Sequence, residues 1–151
     1  GDRAGAFGPR TDIRTGAGAR DVALLDLDGD GQLDIAALNS EDASVTVLRG
    51  APDGSFTRAG ETHLPGIPLA LARGDLDGDG RADLAVACAG IDEAWVLLSV
   101  GDGTFYARTG RATGAGLSAV ALADFDQDGR LDIVTGSDNL YIIMNQGLMT
   151  P

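Results

Sequence analysis

The sequence contains no lysine, and among its 151 residues there is one cysteine, one histidine and one tryptophan. Without lysine the chain can supply neither a Schiff-base lysine nor the lysine of a P-loop. A single cysteine cannot form an internal disulfide or a zinc ribbon, and a single histidine cannot build a polyhistidine metal site. No apolar run approaches the ~20 residues of a membrane span. These absences exclude several cofactor and zinc classes and a membrane-inserted chain.

The charge is strongly one-sided. Eleven basic residues, all of them arginine, stand against 23 acidic ones, which gives a formal net charge of −12. This balance excludes a general surface for nucleic acid or anionic membranes, because both need concentrated positive charge. Hydrophobic residues make up 44% of the chain, so we expect a folded domain rather than a disordered acidic tail.

One segment of the chain occurs three times. The run Asp-Leu-Asp-Gly-Asp-Gly-Gln-Leu-Asp that begins at Asp26 recurs in closely similar form from Asp75 and from Asp124, a step of 49 residues each time. Phe7, Phe56 and Phe105 keep the same step. Repeats of 40–50 residues are typical of β-propeller blades. The repeat therefore organises the whole chain, residues 1–151, as a single propeller unit.

Each repeat contains four short apolar runs bounded by Gly, Asp or Pro. In the first repeat they occupy residues 21–25, 35–38, 45–48 and 55–58, and no segment has a helical period of useful length. Short runs rich in Val, Ile and Leu are strand signals. We therefore predict an all-β fold of three four-stranded antiparallel blades of 49 residues. The blades span residues 17–65, 66–114 and 115–151.

The repeats are circularly offset from the chain. Residues 1–16 align with 50–65 and 99–114, so we expect them to form an outer strand that completes a neighbouring blade. The third blade correspondingly lacks its fourth strand. Because propellers have about 4–8 blades, we expect either half of a six-bladed ring, closed by a homodimer, or a fragment of a longer propeller.

The repeated loops have the chemistry of a calcium site. Numbering the first aspartate as position 1, each loop places carboxylates at positions 1, 3, 5 and 9 and glycine at position 6, where the chain must bend. Calcium takes six to eight oxygen ligands in flexible geometry, and a main-chain carbonyl at position 7 can join the carboxylates. We predict about three Ca²⁺ per chain. The predicted ligands are Asp26, Asp28, Asp30, Gln32 and Asp34; Asp75, Asp77, Asp79, Arg81 and Asp83; and Asp124, Asp126, Asp128, Arg130 and Asp132.

Two other interpretations of the loops are weaker. An EF-hand needs a bidentate Glu at position 12 between two helices, whereas this chain has Ala37, Val86 or Thr135 there and strands on both sides. Asp- and Gly-rich turns also favour tight reversals without any metal. Three loops with four carboxylates in one register disfavour that explanation, because uncompensated like charges repel.

The loop between two strands, followed by Asp-Gly-Ser/Thr-Phe, resembles FG-GAP-like (VCBS-type) repeats, which are calcium-binding propeller blades related to those of integrin α-subunits. The resemblance covers nearly the whole chain, and Gln127 departs from the glycine found at positions 29 and 78. It implies calcium between the first and second strands of each blade. It also implies an extracellular, periplasmic or cell-surface protein with adhesion, recognition or accessory roles.

No catalytic constellation and no cofactor-binding motif accompanies the loops. Cys88 follows an apolar run on a predicted strand and is interpreted as a small buried hydrophobe. We therefore expect a non-enzymatic calcium-binding module for recognition of a protein or glycan, or for assembly, with structural calcium in each blade. The alternative is a propeller-based polysaccharide-active enzyme, or an accessory subunit of an enzyme or larger complex.

Overall fold

The computed structural model describes residues 8–147, with only the backbone described at 107–109, and these residues form strands and no helix. None of them therefore lies in a helix with the length and hydropathy to cross a membrane. The strands are β1 (Ala19–Leu25), β2 (Asp34–Asn39), β3 (Ser44–Gly50), β4 (Phe56–His63), β5 (Ile67–Gly74), β6 (Asp83–Ala89), β7 (Glu93–Ser99), β8 (Phe105–Ala112), β9 (Ala119–Ala123), β10 (Asp132–Gly136) and β11 (Leu140–Ile143).

The strands form three antiparallel sheets in chain order, β1-β2-β3-β4, β5-β6-β7-β8 and β9-β10-β11. The register repeats with the sequence, since Ala36 pairs with Val47, Ala85 with Val96 and Val134 with Ile142. The all-β prediction with propeller-like blades is confirmed, and the three sheets do not close into a ring. We call the sheets blade 1, blade 2 and blade 3.

The third blade has three strands among the described residues. Residues 8–15 lie in no strand, and residues 1–7, including Phe7, are outside the described part of the chain. The fourth strand that residues 1–16 are expected to supply therefore stays a prediction.

Neighbouring blades bury apolar side chains between them. At the first junction, Leu27, Val45 and Val47 of blade 1 belong to a core against which Leu71 and Ala82 of blade 2 pack. At the second junction, the equivalent face of blade 2 packs against blade 3 through Leu76, Ala94 and Val96 on one side and Val120, Leu122 and Leu131 on the other. Burial of a large aliphatic side chain contributes about 1.5–3 kcal/mol. The same sequence positions thus build both junctions.

Hydrogen bonds between neighbouring blades fix their relative position. The backbone N–H of Leu71 donates to Asp21 Oδ2 at 3.0 Å, and Arg20 Nε donates to the carbonyl of Leu69 at 3.0 Å. At the second junction, Asn145 Nδ2 donates to the carbonyl of Leu76 at 2.9 Å. These directional bonds fix the position of one blade relative to the next. Apolar packing alone is not directional and would allow the blades to slide.

The single cysteine lies inside the first junction. Cys88, on β6, is fully buried in the core shared by blades 1 and 2. Burial raises the pKa of its thiol to about 12, and the charge of Glu93 acts in the same direction. Because only the thiolate is an effective nucleophile, Cys88 is a packing residue, as the sequence indicated.

We expect Cys88 to be unreactive towards an aromatic disulfide reagent at pH 8 in the folded protein. Unfolding in guanidinium removes both the burial and the pKa shift, so one thiol per chain should then react more than about 100-fold faster. The liberated chromophore measures the rate. Labelling of the native protein at the rate of an exposed thiol would contradict the burial of the first junction.

Candidate metal centres

The first aspartate of each loop shapes the loop backbone. Asp26 Oδ1 accepts a hydrogen bond from the N–H of Gly29 at 2.8 Å, and its Oδ2 accepts one from the N–H of Gly31 at 2.9 Å. Asp75 receives the same two bonds from Gly78 and Gly80, and Asp124 receives one from Gly129. The carboxylate at position 1 thus holds the next five residues of the loop in a tight turn.

Positions 4 and 6 of the loops require a left-handed backbone. Gly29 and Gly31 have φ of 76° and 84°, and Gly78 and Gly80 have φ of 81° and 85°. Gln127 takes the same conformation with φ of 61°, although a left-handed backbone costs a residue with a side chain about 1–2 kcal/mol. The third loop therefore keeps the common shape despite its departure from glycine.

The aspartate at position 9 is buried and joins the loop to the third strand. Asp34 Oδ2 accepts the N–H of Leu27 at 2.9 Å, while its Oδ1 accepts the N–H of Gly50 at 2.9 Å. The pattern repeats with Leu76 and Ser99 on Asp83, and with Phe125 and Asn145 on Asp132. Each blade is thus held by one carboxylate at the start of its second strand, which links the loop after the first strand to the end of the third.

Three aspartates of each loop converge. One carboxylate oxygen from each of positions 1, 3 and 9 lies within 4.8 Å of the others in every loop. Calcium–oxygen bonds of about 2.3–2.6 Å allow ligands on opposite sides of one ion to lie about 5 Å apart. Each group therefore fits around a single ion. The three triads are Asp26, Asp28 and Asp34; Asp75, Asp77 and Asp83; and Asp124, Asp126 and Asp132.

The aspartates at position 5 lie outside the triads. Asp30, Asp79 and Asp128 each accept the N–H of position 7 through Oδ1, at 2.7, 2.8 and 2.9 Å. The structure thus brings together nine of the twelve predicted aspartates. The predicted role of the main-chain carbonyls of Gln32, Arg81 and Arg130 as ligands stays a prediction.

Arginines contact the loops in a way that the sequence analysis missed. Arg81 pairs with Asp79 and Arg130 with Asp128, and Arg49 Nε lies 2.7 Å from Asp28 Oδ2. In the second and third loops the sequence Asp-Gly-Arg places the arginine two residues after its aspartate, so these two ion pairs could have been predicted from the sequence. Nothing in the sequence marks Arg49, because its partner is 21 residues away and the equivalent positions hold Leu98 and Met144.

The surroundings of position 9 differ between the second and third loops. Burial raises the pKa of Asp83, aided by the charges of Asp77 and Asp79 and opposed by the amides of Ser99 and Leu76. In blade 3, which packs against one neighbouring blade within the described part of the chain, the amides of Asn145 and Phe125 lower the pKa of Asp132. Since the folded-state pKa of Asp83 exceeds its unfolded value, its ionised form destabilises the fold as the pH rises through that range. A cation in the triad would offset this cost.

The chain matches a known family. The sequence model of the FG-GAP-like repeat matches residues 26–86 and again residues 75–135. Each match starts at the first aspartate of one loop and extends beyond the last aspartate of the next, so the two together cover more than two thirds of the chain. A comparison with curated proteins finds no match.

The position-9 aspartate should matter for stability even without metal. Asp34→Ala leaves the buried N–H groups of Leu27 and Gly50 without their acceptor, and we expect a loss of about 3 kcal/mol in the free energy of unfolding in chelator. Asp30→Ala removes only an exposed local bond and should cost less than about 1 kcal/mol. Denaturant unfolding measures both. Equal losses for the two variants would contradict the proposed link between strands.

Proposed function

The chain belongs to the FG-GAP-like repeat family, and on that premise we propose that it is a calcium-binding β-propeller module that serves recognition or assembly rather than catalysis. The observation that carries the proposal is the set of three equivalent aspartate triads, each at the same place in its blade. Modules of this family typically have no enzymatic activity. The cluster also recurs in every repeat, whereas an active site is usually a single asymmetric arrangement, and this recurrence argues against catalysis.

The donor atoms favour calcium over other metals. Every triad offers only carboxylate oxygens, whereas zinc sites are usually built with histidine or cysteine. Magnesium needs near-ideal octahedral geometry at shorter distances, and calcium accepts six to eight oxygens in irregular arrangements. Three carboxylates supply part of that shell, which the position-5 carboxylate, a main-chain carbonyl and water can complete.

Calcium in this position would be structural. The loop joins the first and second strands of its blade, and the position-9 aspartate extends the link to the third strand. An ion would neutralise the crowded carboxylates and hold these strands together. We also propose an extracellular, periplasmic or cell-surface location, and we therefore expect an affinity of about 10⁻⁴–10⁻³ M, as in extracellular calcium modules.

The proposal predicts a metal-dependent melting temperature. Saturating calcium stabilises a folded state that binds it by RT ln(1 + [L]/Kd) per site, so we expect at least ~5 °C between 5 mM CaCl₂ and excess chelator. Differential scanning calorimetry measures the shift. Magnesium at the same concentration is the control and should stabilise less. Identical melting in calcium and in chelator would contradict the proposal.

Blade 3 carries an apolar face with no neighbour among the described residues. Phe125, Leu140 and Ile142 are exposed by 45%, 78% and 51%, whereas the equivalent residues of blade 1, Leu27, Val45 and Val47, are 1%, 0% and 2% exposed in the first junction. We name Phe125, Leu140 and Ile142 the trailing face. It repeats the positions that bury themselves at a junction.

Blade 1 carries the complementary face. Val22, Leu24 and Leu33 are exposed by 59%, 48% and 57%, and we name them the leading face. Their equivalents in blade 3 are Val120, Leu122 and Leu131, which pack against blade 2 at the second junction. A trailing face meeting a leading face would therefore recreate a junction that the chain already builds twice.

We propose that the trailing face binds the leading face of a second copy. Head-to-tail contacts generate rings when the rotation closes, and two copies of three blades would close a six-bladed ring. Residues 1–16 of one copy would then lie within reach of β11 of the other, whose sheet has one strand fewer than its neighbours. The proposed partner is therefore a second copy of this chain, which presents its leading face to the trailing face of the first.

Sedimentation equilibrium tests the ring. The wild type should have twice the 15.3 kDa mass of the chain, and Leu140→Asp/Ile142→Asp should be monomeric, because buried charges oppose the contact. Val100→Asp is the control, since Val100 is 52% exposed in the turn between β7 and β8 and belongs to neither face. A monomeric wild type at micromolar concentrations would contradict the two-chain ring.

A further inference from the structure

Two metal loops hold an arginine from their own sequence. The guanidinium of Arg81 pairs with Asp79, and its Nε donates to the carbonyl of Ser99 at 3.4 Å. The guanidinium of Arg130 pairs with Asp128, and its Nε donates to the carbonyl of Asn145 at 2.8 Å. Both arginines are therefore fixed between the loop and the end of the third strand. The carboxylate that each one binds is the position-5 group that lies outside the triad.

The first loop has an arginine from another part of the chain. Its position 7 is Gln32, which provides no charge. Arg49, at the end of β3, instead places Nε 2.7 Å from Asp28 Oδ2 and donates from Nη2 to the carbonyl of Asp102 in blade 2 at 2.8 Å. Each of the three loops thus contacts one guanidinium, although the arginines come from two different sequence positions.

We infer that Arg49, Arg81 and Arg130 are resident counter-ions that hold the loops together without metal and lower their affinity for calcium. The inference rests on the proposed calcium binding. A positive charge beside the carboxylates offsets their repulsion in the metal-free protein, and the same charge repels an arriving Ca²⁺. In the second and third loops, the ion must also draw the position-5 carboxylate away from its arginine before that carboxylate can become a ligand.

This role has a signature that a merely structural arginine lacks. Removing a counter-ion destabilises the metal-free loop and strengthens metal binding, so the two effects have opposite signs. An arginine that only supports the loop geometry would lower both stability and affinity when removed. Measuring the melting temperature in chelator together with the calcium affinity separates the two roles.

The chain itself supplies suitable variants. Arg81→Gln/Arg130→Gln gives the second and third loops the residue that the first loop carries at Gln32, so the loop shape should be retained. Arg58→Gln is the matched control, because Arg58 forms an ion pair with Glu61 at 2.7 Å outside the loops. The side-chain exposures of that pair, 49% and 26%, nearly equal the 47% and 26% of Arg81 and Asp79.

Isothermal titration of chelator-treated protein with CaCl₂ tests the inference. We expect the double variant to bind calcium about threefold to tenfold more tightly at its second and third sites, and to melt at a lower temperature than the wild type in chelator. The affinity gain should shrink in 0.5 M NaCl, because salt screens the arginine charge. Gln32→Arg should weaken binding at the first site, and Arg58→Gln should leave calcium affinity unchanged within about twofold.

The outcomes separate the inference from the proposal on which it rests. A wild type that binds no calcium overturns the proposed function and the inference together. A wild type that binds calcium, with a double variant of unchanged or weaker affinity, overturns the counter-ion role and leaves calcium binding intact. The counter-ion role is also overturned if the change in log Kd of the double variant is no more than twice that of Arg58→Gln, because the gain would then reflect the loss of two charges rather than one.

Discussion

The repulsion among aspartates in each loop is the constraint on which the rest of the molecule depends. Four carboxylates lie within nine residues, three times over, and these twelve aspartates equal the whole formal charge of −12. The other eleven acidic residues are matched in number by the eleven arginines. Backbone amides and arginine ion pairs hold these carboxylates in place. The acidity of the chain is therefore a property of three small sites rather than of a generally negative surface.

The atoms that stabilise each blade are also those that would bind the proposed ion. Asp34 and its equivalents Asp83 and Asp132 each accept two backbone hydrogen bonds and also contribute an oxygen to the triad. The strands of a blade and the candidate metal site are consequently coupled, because a change that stabilises the position-9 aspartate in one of these roles also stabilises it in the other. The junctions add a second level of organisation, because Leu27 and Leu76 follow the first aspartate of their loops directly and insert between blades. Two adjacent residues thus connect the shape of a loop with the packing of its blade: the first aspartate shapes the loop, and the leucine after it packs at the junction.

Much of this organisation was predictable from the sequence because it repeats. The 49-residue step predicted the three blades, and the spacing of the loop aspartates predicted that Asp26, Asp28 and Asp34 lie close together, as they do in the structure. The spacing did not reveal that Asp30 lies outside its triad, where its carboxylate accepts the N–H of Gln32. The contact between Arg49 and Asp28 was also inaccessible, since it joins a strand residue to a loop residue far from it in sequence and lies against a turn of the next blade. The left-handed conformation of Gln127 shows that loop geometry outweighs the residue's own preference.

The number of calcium ions bound per chain tests the central claim most directly. Native mass spectrometry of the protein exchanged into a volatile buffer with calcium resolves each bound ion by its mass. The account predicts three ions per 15.3 kDa chain, and two when Asp26 and Asp28 are both replaced by Asn. No specific calcium adduct on the wild type, or an unchanged number of ions in that variant, would contradict it.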